Sequence, residues 1–323
     1  MTKPGPTPGP RHLISVKEID RERAHRFFDL AAALRALPAE ECARLLARKV
    51  VATAFYQPST RTRIAFEAAA ARLGAARVGF ADVKTTRAGD FYQESLEDVV
   101  ANLGSLVDAL VLRHFESGAA ARAAAVSPVP VVNAGDGYNE HPSQALGDVW
   151  TMHQLLGGVT GARIGLLGNP TIRSLHSISF VLAALAPAEV VFLPAPGTEV
   201  PEDTRKLFEA AGVRWSEAEH VADLLAGCDL VETIGTRHPD HNLPHDKQSV
   251  PERTPERYRI DAALLRRVGR DVPVLHPGPR TDEIDTDVDA LPAAQYLPQV
   301  TNGMWMKAAM LASVLLTDDR LPG

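Results

Sequence analysis

Short apolar runs alternate with Ala-rich, helix-like stretches along most of the chain, and this alternation restricts the fold more than any other feature. In the first half, the runs Val50–Tyr56 and Val107–Leu112 flank a helix-like stretch over residues 59–73. The pattern restarts at Arg163–Leu167 and continues with Val190–Leu193. Strands and helices at this spacing predict parallel sheets with crossover helices. We therefore predict the α/β class, with two open parallel-sheet domains and flanking helices.

The restart of the pattern divides the 323 residues into parts. Residues 1–12 are rich in Pro and Gly and are predicted to form a flexible tail. Residues 13–145 and 146–298 are predicted to form the two domains. Residues 299–323 contain an apolar stretch that we expect to form a C-terminal helix packing back on the first domain.

Charge and composition exclude several classes of protein. The chain has 34 Lys and Arg against 40 Asp and Glu, so it lacks the basic character of a nucleic-acid-binding protein. The longest apolar runs, Val107–Leu112 and Ile178–Leu185, fall short of the ~20 residues of a membrane-spanning helix. Two cysteines, Cys42 and Cys228, fit a reducing compartment and argue against a cysteine-based metal site. We expect a cytoplasmic protein with no nucleic-acid or membrane partner and no metal.

The loop after the first predicted strand concentrates hydroxyl and guanidinium groups. In open parallel sheets, ligands bind at the carboxyl ends of the strands. Free backbone N–H groups at a helix start, together with hydroxyls and arginines, favour an anion. The residues concerned are Ser59, Thr60, Arg61, Thr62 and Arg63. The alternative is that Ser59 or Thr60 is a simple helix N-cap and that both arginines lie on a solvated face.

Further hydrogen-bond donors follow the next strands of the first domain. Arg113 and His114 come directly after one strand, and His141 and Gln144 follow the polar segment 133–137. A single Arg or His after a strand is more often structural than catalytic. Because several donors leave the same edge of the sheet, we expect them to converge where they can hold both a phosphate and a polarised carbonyl.

Several ordered segments resemble the signatures of aspartate carbamoyltransferases. These segments are residues 55–63, 111–114, 133–137, 141–146 and 275–284. The Ser-Thr-Arg-Thr-Arg and His-Pro-x-Gln elements are common to the aspartate/ornithine carbamoyltransferase superfamily, whereas Asn-Ala-Gly-Asp-Gly and Arg-x-Asp-Glu-Ile are similar to the aspartate branch. The resemblance runs from about Leu13 to the C-terminal helix.

The resemblance implies transfer of a carbamoyl group from carbamoyl phosphate to an amine, without a metal, a cofactor or a covalent intermediate. It assigns carbamoyl phosphate to the first domain and the acceptor to the second. Ser59, Thr60, Arg61 and Thr62 would hold the phosphate. Thr62, Arg113 and His141 would face the carbamoyl oxygen. Gln144 and the Pro277 carbonyl would face the carbamoyl NH2. Within this set, the residues with implied catalytic roles are Arg61, Thr62, Arg113 and His141.

The second domain carries a segment similar to the one that grips the α-carboxylate of the acceptor in this family. Its arginine is Arg173, at a predicted helix start where an anion is favoured. The resemblance therefore implies an α-amino acid or similar carboxylate as the acceptor. The alternative is that Arg173 lies on the solvent face of the helix.

The acceptor pocket departs from the aspartate pattern at two places. Gly235 stands where aspartate enzymes have the arginine for the second carboxylate, and Arg237 replaces it only if the loop is rearranged by two residues. Gly278 replaces a leucine, which is expected to remove an apolar wall and enlarge the pocket. Without a positive partner, burying the second carboxylate of aspartate is expected to cost several kcal/mol.

The third departure lies in the loop that a neighbouring subunit inserts into the site of family members. Tyr92 occupies the position of the expected lysine, and the loop is about one residue longer than in the family pattern. Lys84 and Arg87 are the alternatives for the missing charge. The resemblance implies a homotrimer with active sites at subunit interfaces.

Three functions remain open at this stage. The first is carbamoyl transfer to an amino acid other than aspartate, such as 2,3-diaminopropionate or ornithine in specialised metabolism. Glu232 and the histidine-containing loop 238–245 would suit a cationic or polar acceptor, and the alternative for these histidines is a solvated Pro-rich loop. The alternative is an authentic aspartate carbamoyltransferase of pyrimidine biosynthesis. The third is a non-catalytic homologue acting as a binding subunit, against which the intact phosphate-binding set argues.

Overall fold

The computed structural model describes residues 11–89, 91–236 and 253–322, and these residues contain two parallel sheets. The first sheet has the order β2-β1-β3-β4 and the second the order β7-β6-β5-β8-β9. The strands of the first sheet are β1 (Val50–Phe55), β2 (Ala76–Phe80), β3 (Ala109–His114) and β4 (Val131–Asp136). Those of the second are β5 (Arg163–Gly168), β6 (Glu189–Pro194), β7 (Arg214–Glu217), β8 (Leu230–Thr233) and β9 (Val274–Leu275). The predicted α/β class is confirmed.

The helices cover the faces of both sheets. Those before and within the first sheet are α1 (Arg21–Ala36), α2 (Ala39–Cys42), α3 (Thr60–Arg72), α4 (Leu96–Gly104) and α5 (Ala119–Val126). The remaining ones are α6 (Pro142–Leu156), α7 (Arg173–Leu185), α8 (Glu202–Ala210), α9 (Val221–Gly227), α10 (Ala262–Val268) and α11 (Tyr296–Leu315).

The strand order places one switch point in each sheet. The chain leaves β1 towards β2 on one side, and β3 pairs on the other side of β1. In the second sheet, β6 and β8 likewise flank β5. Ligands of open α/β sheets bind in the crevice at such points. The loops after β1, β3, β5 and β8 are therefore the expected position of a site.

Helix α11 returns to the first domain, as predicted. It packs against α1, α3 and α6. Its buried face includes Met306, Met310 and Leu311, which belong to an apolar core that also contains residues of both sheets. This packing holds the two domains together through α6 and α11.

Several element boundaries differ from the sequence prediction. Strand β4 begins at Val131 and continues through the polar segment to Asp136, because Asn133 inside it donates a side-chain hydrogen bond to the Ile14 carbonyl. The short elements β7, α5, α9 and α10 were not predicted from the sequence. Of the predicted tail, residues 1–10 lie outside the described residues, whereas Arg11 and His12 already contact the fold. Among the described helices, none has the length and apolar content to cross a membrane.

Candidate active site

The loop between β1 and α3 presents a helix N-terminus at the switch point of the first sheet. Ser59 is extended, with φ −157°, and its Oγ accepts a hydrogen bond from the Thr62 N–H at 3.1 Å. Ser59 is therefore a helix N-cap, as the alternative prediction had it. The capped helix begins at Thr60 and leaves backbone N–H groups of its first turn directed outwards, which favours an anion here.

Three guanidinium groups, those of Arg61 in α3, Arg113 in β3 and Arg173 in α7, lie around this helix N-terminus. Arg113, at the end of β3, lies 3.5 Å from the Thr62 hydroxyl through Nη1, and its buried Nε has no partner within the part of the chain that the structure describes. Burial and the charges of Arg173 and Arg61 lower the pKa of Arg113 well below its usual range. Mutual repulsion of this kind is relieved by a bound anion with multiple negative charges.

Arg173, the first residue of α7, reaches from the second domain to the first. Its Nη1 donates to Gln57 Oε1 at 3.1 Å and to the Gly137 carbonyl at 2.9 Å. The side chain is 3% exposed, so the alternative of a solvent-facing arginine is wrong. Burial lowers the pKa of Arg173 to about 10 despite the opposing charge of Asp136. A Cβ on Gly135, at φ +113°, would lie 3.2 Å from its guanidinium carbon, so glycine makes room for it.

His141 lies between the two domains at the start of α6. Its backbone N–H donates to Ser177 Oγ on α7 at 2.9 Å, and its buried ring places Nδ1 3.3 Å from Ser143 Oγ. A residue held from both domains responds to any change in their relative position. His141 therefore lies where α6 meets α7, close to both domains.

A buried polar network lies behind Gln144 and includes residues that sequence reasoning missed. Gln144 Nε2 donates to both oxygens of Asp148, one turn later on α6, at 2.8 and 3.0 Å. Gln299 of α11 donates to Asp148 at 2.6 Å and to Glu232 of β8 at 3.1 Å. The only sequence signal is the i,i+4 spacing of Gln144 and Asp148 inside an otherwise apolar helix.

The expected contribution of Glu232 to a cationic acceptor pocket is not supported. Its carboxyl group is fully buried and faces Gln299 of α11 and Asp148 of α6. Burial and the neighbouring charge of Asp148 raise the pKa of Glu232 well above its usual range, while burial raises that of Asp148 to about 7. Two carboxyl groups this close are stable when one of them keeps a proton.

We expect Glu232→Gln to raise the melting temperature at pH 8 by about 3 °C, because the amide has the shape of the protonated carboxyl group without its ionisation. The folded state holds the Glu232 proton to a higher pH than the unfolded state does, so wild-type stability falls as pH rises above about 4. The difference between variant and wild type should therefore vanish near pH 4. Thermal unfolding from pH 4 to 8 measures it, with the exposed Glu209→Gln as the control. A constant difference across this range would contradict a protonated Glu232.

The segment after β9 contacts the first turn of α3. His276 Nδ1 accepts from the Gly278 N–H at 2.7 Å, so its Nε2 carries the hydrogen and donates to Glu283 at 2.7 Å. Although burial opposes ionisation, hydrogen bonds from His276 and Thr281 lower the pKa of Glu283 to about 2. The Pro277 carbonyl accepts from Arg61 Nε at 3.1 Å.

The surroundings of Gly278 do not support the expected enlargement of the acceptor pocket. Gly278 has φ +71°, and a Cβ there would lie 2.7 Å from Arg61 Nε. The absent side chain therefore leaves room for the guanidinium of Arg61 rather than for an acceptor. Gly235 is half-buried after β8, and Arg237 lies outside the described residues, as does the predicted histidine loop 238–245.

The loop predicted to enter a neighbouring subunit is exposed. Phe91 is 94% and Tyr92 68% exposed, and the Arg87 guanidinium lies 4.8 Å from the centre of the Tyr92 ring. Lys84 lies in a short 3-10 turn capped by Asp82. Which of Lys84, Arg87 and Tyr92 replaces the loop lysine of the family pattern stays a prediction.

Two family models match the chain. The model described as "Aspartate/ornithine carbamoyltransferase, carbamoyl-P binding domain" matches residues 11–154. The model described as "Aspartate/ornithine carbamoyltransferase, Asp/Orn binding domain" matches residues 160–314.

Similar proteins and solved structures span nearly the whole chain. Chloroplastic aspartate carbamoyltransferase 1 of Pisum sativum is 35% identical over 311 residues, which cover 94% of this chain and 78% of the pea protein. Aspartate transcarbamoylase of Trypanosoma cruzi, solved with carbamoyl aspartate and phosphate, has a TM-score of 0.83 at 31% identity and covers 95% of this chain and 97% of that one. The catalytic subunit of the M. Jannaschii enzyme has a TM-score of 0.82 at 32% identity, with 94% and 97% coverage.

Proposed function

Since the chain belongs to the aspartate/ornithine carbamoyltransferase family, and is thereby a carbamoyltransferase, we propose that it moves the carbamoyl group of carbamoyl phosphate to the amino group of aspartate. The observation that carries the transfer is the convergence of Arg61, Arg113 and Arg173 around the N-terminus of α3. The names of the relatives favour aspartate over the diamino acids that the pocket departures first indicated.

In this proposal the protein positions the substrates and stabilises the negative charges of the phosphate and of the developing oxyanion. The phosphate lies on the N-terminus of α3, held by Ser59, Thr60, Arg61 and Thr62. Thr62, Arg113 and His141 donate to the carbamoyl oxygen, which becomes an oxyanion when the amine attacks. A C–N bond forms, the C–O bond to phosphate breaks, and the amine proton leaves with the phosphate.

The Gln144 side chain and the Pro277 carbonyl accept from the carbamoyl NH2 and orient the carbonyl carbon towards the amine. Arg173 is proposed to bind the α-carboxylate of the acceptor; it is buried between the two domains, and both of its observed contacts use Nη1. Closure of the domains around the substrates would exclude water.

A second candidate is an amino-acid acceptor without a second carboxylate. It is favoured by Gly235, which offers no side chain where the resemblance has an arginine. Arg237 or the loop of a neighbouring copy must supply that charge if aspartate is the acceptor.

Phosphate release from carbamoyl phosphate separates these functions. We expect turnover with aspartate, and little with ornithine or 2,3-diaminopropionate at equal concentration. Turnover with a diamino acid but not with aspartate would establish the second candidate. Binding of carbamoyl phosphate without turnover on any amine would indicate the third, a non-catalytic binding subunit.

We also propose a homotrimer, in keeping with the exposed aromatic side chains of Phe91 and Tyr92. An exposed aromatic pair on a loop is typical of a contact with another surface. Light scattering is expected to give three times the chain mass of 34.8 kDa, and a monomer would contradict the proposal. A cytoplasmic location stays a prediction, and the plant relatives are named as chloroplastic.

A further inference from the structure

A series of buried hydrogen bonds, in which each donor and acceptor is fixed by its neighbour, begins at the backbone N–H of His276. A backbone N–H can only donate, and that of His276 donates to Gln299 Oε1 at 2.7 Å. The amide orientation of Gln299 is thereby set, with Nε2 turned towards Asp148 Oδ1 at 2.6 Å and Glu232 Oε1 at 3.1 Å. Gln299 is 3% exposed, so water does not compete for these bonds.

The series of fixed donors and acceptors continues from Asp148 to Gln144. Asp148 Oδ1 already accepts from the fixed Nε2 of Gln299 at 2.6 Å, and a carboxylate oxygen acts as an acceptor of hydrogen bonds. Gln144 must then present its Nε2 to Asp148, as observed at 2.8 and 3.0 Å. Its Oε1 is left as the end of the side chain available to accept a donor from the cleft.

One end of this series is Gln144 Oε1, one of the two acceptors assigned to the carbamoyl NH2. The other end is the backbone N–H of His276, the residue before Pro277, whose carbonyl is the second assigned acceptor. We propose that Gln299 is a positioning residue, which aligns both acceptors of the carbamoyl NH2 through Asp148 and the His276 backbone. The inference rests on the proposed function, because it requires carbamoyl phosphate as the ligand.

A positioning role of Gln299 predicts different effects on the binding of inorganic phosphate and of carbamoyl phosphate. Inorganic phosphate occupies only the end of the site formed by Ser59, Thr60, Arg61 and Thr62, whereas carbamoyl phosphate also needs the two acceptors. Loss of the positioning should weaken carbamoyl phosphate selectively, since misplaced acceptors no longer meet its NH2. A general disturbance of the fold would weaken both ligands.

The test uses the full chain with Gln299→Met and Gln299→Leu. Neither side chain carries a hydrogen-bond donor for Asp148, and both are apolar side chains of roughly similar size. Calorimetry is expected to show that both variants bind carbamoyl phosphate about tenfold more weakly than wild type and bind inorganic phosphate with an affinity within about twofold of wild type. Phosphate-release kinetics are expected to show kcat lowered about tenfold or more. Gln295→Met, directly before the first residue of α11, is the matched control, because its side chain donates to the Pro292 carbonyl at the surface and, among the described residues, to no group of the network. It should leave both affinities unchanged.

The Gln144→Ala background tests whether Gln299 acts through Gln144. If it does, Gln299→Met should lower carbamoyl phosphate affinity by less in this background than in wild type. Equal weakening of the two ligands, or fully additive losses, would overturn the inference. If the wild-type protein binds inorganic phosphate but not carbamoyl phosphate, the proposed function itself is wrong. That result is distinct from equal weakening of the two ligands and from additive losses, which concern only the role of Gln299.

Discussion

Arg113→Met is expected to lower kcat about 1000-fold, because it removes a preorganised donor from the position where the oxyanion develops. Arg113 combines a buried Nε that has no partner among the described residues with two neighbouring guanidinium groups of the same charge. Such an arrangement is unfavourable in the empty protein and becomes favourable when a dianion binds. Steady-state phosphate release with saturating carbamoyl phosphate and aspartate measures the loss.

The same substitution should make the empty protein more stable. Methionine fills much of the volume of arginine, and its neutral side chain removes the repulsion with Arg61 and Arg173. Thermal unfolding without ligand is therefore expected to shift upwards, while stabilisation by added carbamoyl phosphate shrinks. Arg266→Met, an exposed arginine on α10, removes one positive charge outside the site and should change neither property. A variant that keeps more than a tenth of wild-type kcat would remove Arg113 from the proposed chemistry.

The alternation of apolar runs and helical stretches was enough to predict both sheets, although not strand β7, whose sequence Arg-Trp-Ser-Glu contains no apolar run. Arg61, Arg113 and Arg173 could likewise be placed at strand ends, which meet at one edge of a parallel sheet. Which domain each side chain contacts was not predictable. Arg173 follows β5 of the second sheet, yet its partners are Gln57 and the Gly137 carbonyl of the first domain.

The network behind Gln144 shows why part of the site escapes sequence reasoning. Gln299 and Asp148 are 151 positions apart, and neither belongs to a local motif that identifies the contact. Glu232 is a residue of a type that often binds ligands, but the direction of its side chain depends on how β8 packs against α6 and α11. Burial inverted its predicted role, from a charged group facing an acceptor to a carboxyl group that keeps its proton.

Gly278→Ala is expected to lower kcat/KM about 100-fold with little loss of stability. The new methyl group would lie 2.7 Å from Arg61 Nε, so the guanidinium must leave the Pro277 carbonyl that it contacts at 3.1 Å. Because the displaced atoms are the end of a flexible side chain, the fold itself can accommodate the change. The chemistry cannot, since Arg61 would no longer face the phosphate from a fixed position.

Gly269→Ala is the matched control for the backbone. Gly269 has φ +69°, close to the +71° of Gly278, but a Cβ there meets nothing within 4 Å in the described part of the chain. Both substitutions should cost about 1 kcal/mol of folding free energy through the left-handed conformation. Only Gly278→Ala should lose activity, because only that methyl group moves Arg61. Equal kinetics in the two variants would show that the packing of Arg61 on Gly278 has no part in catalysis.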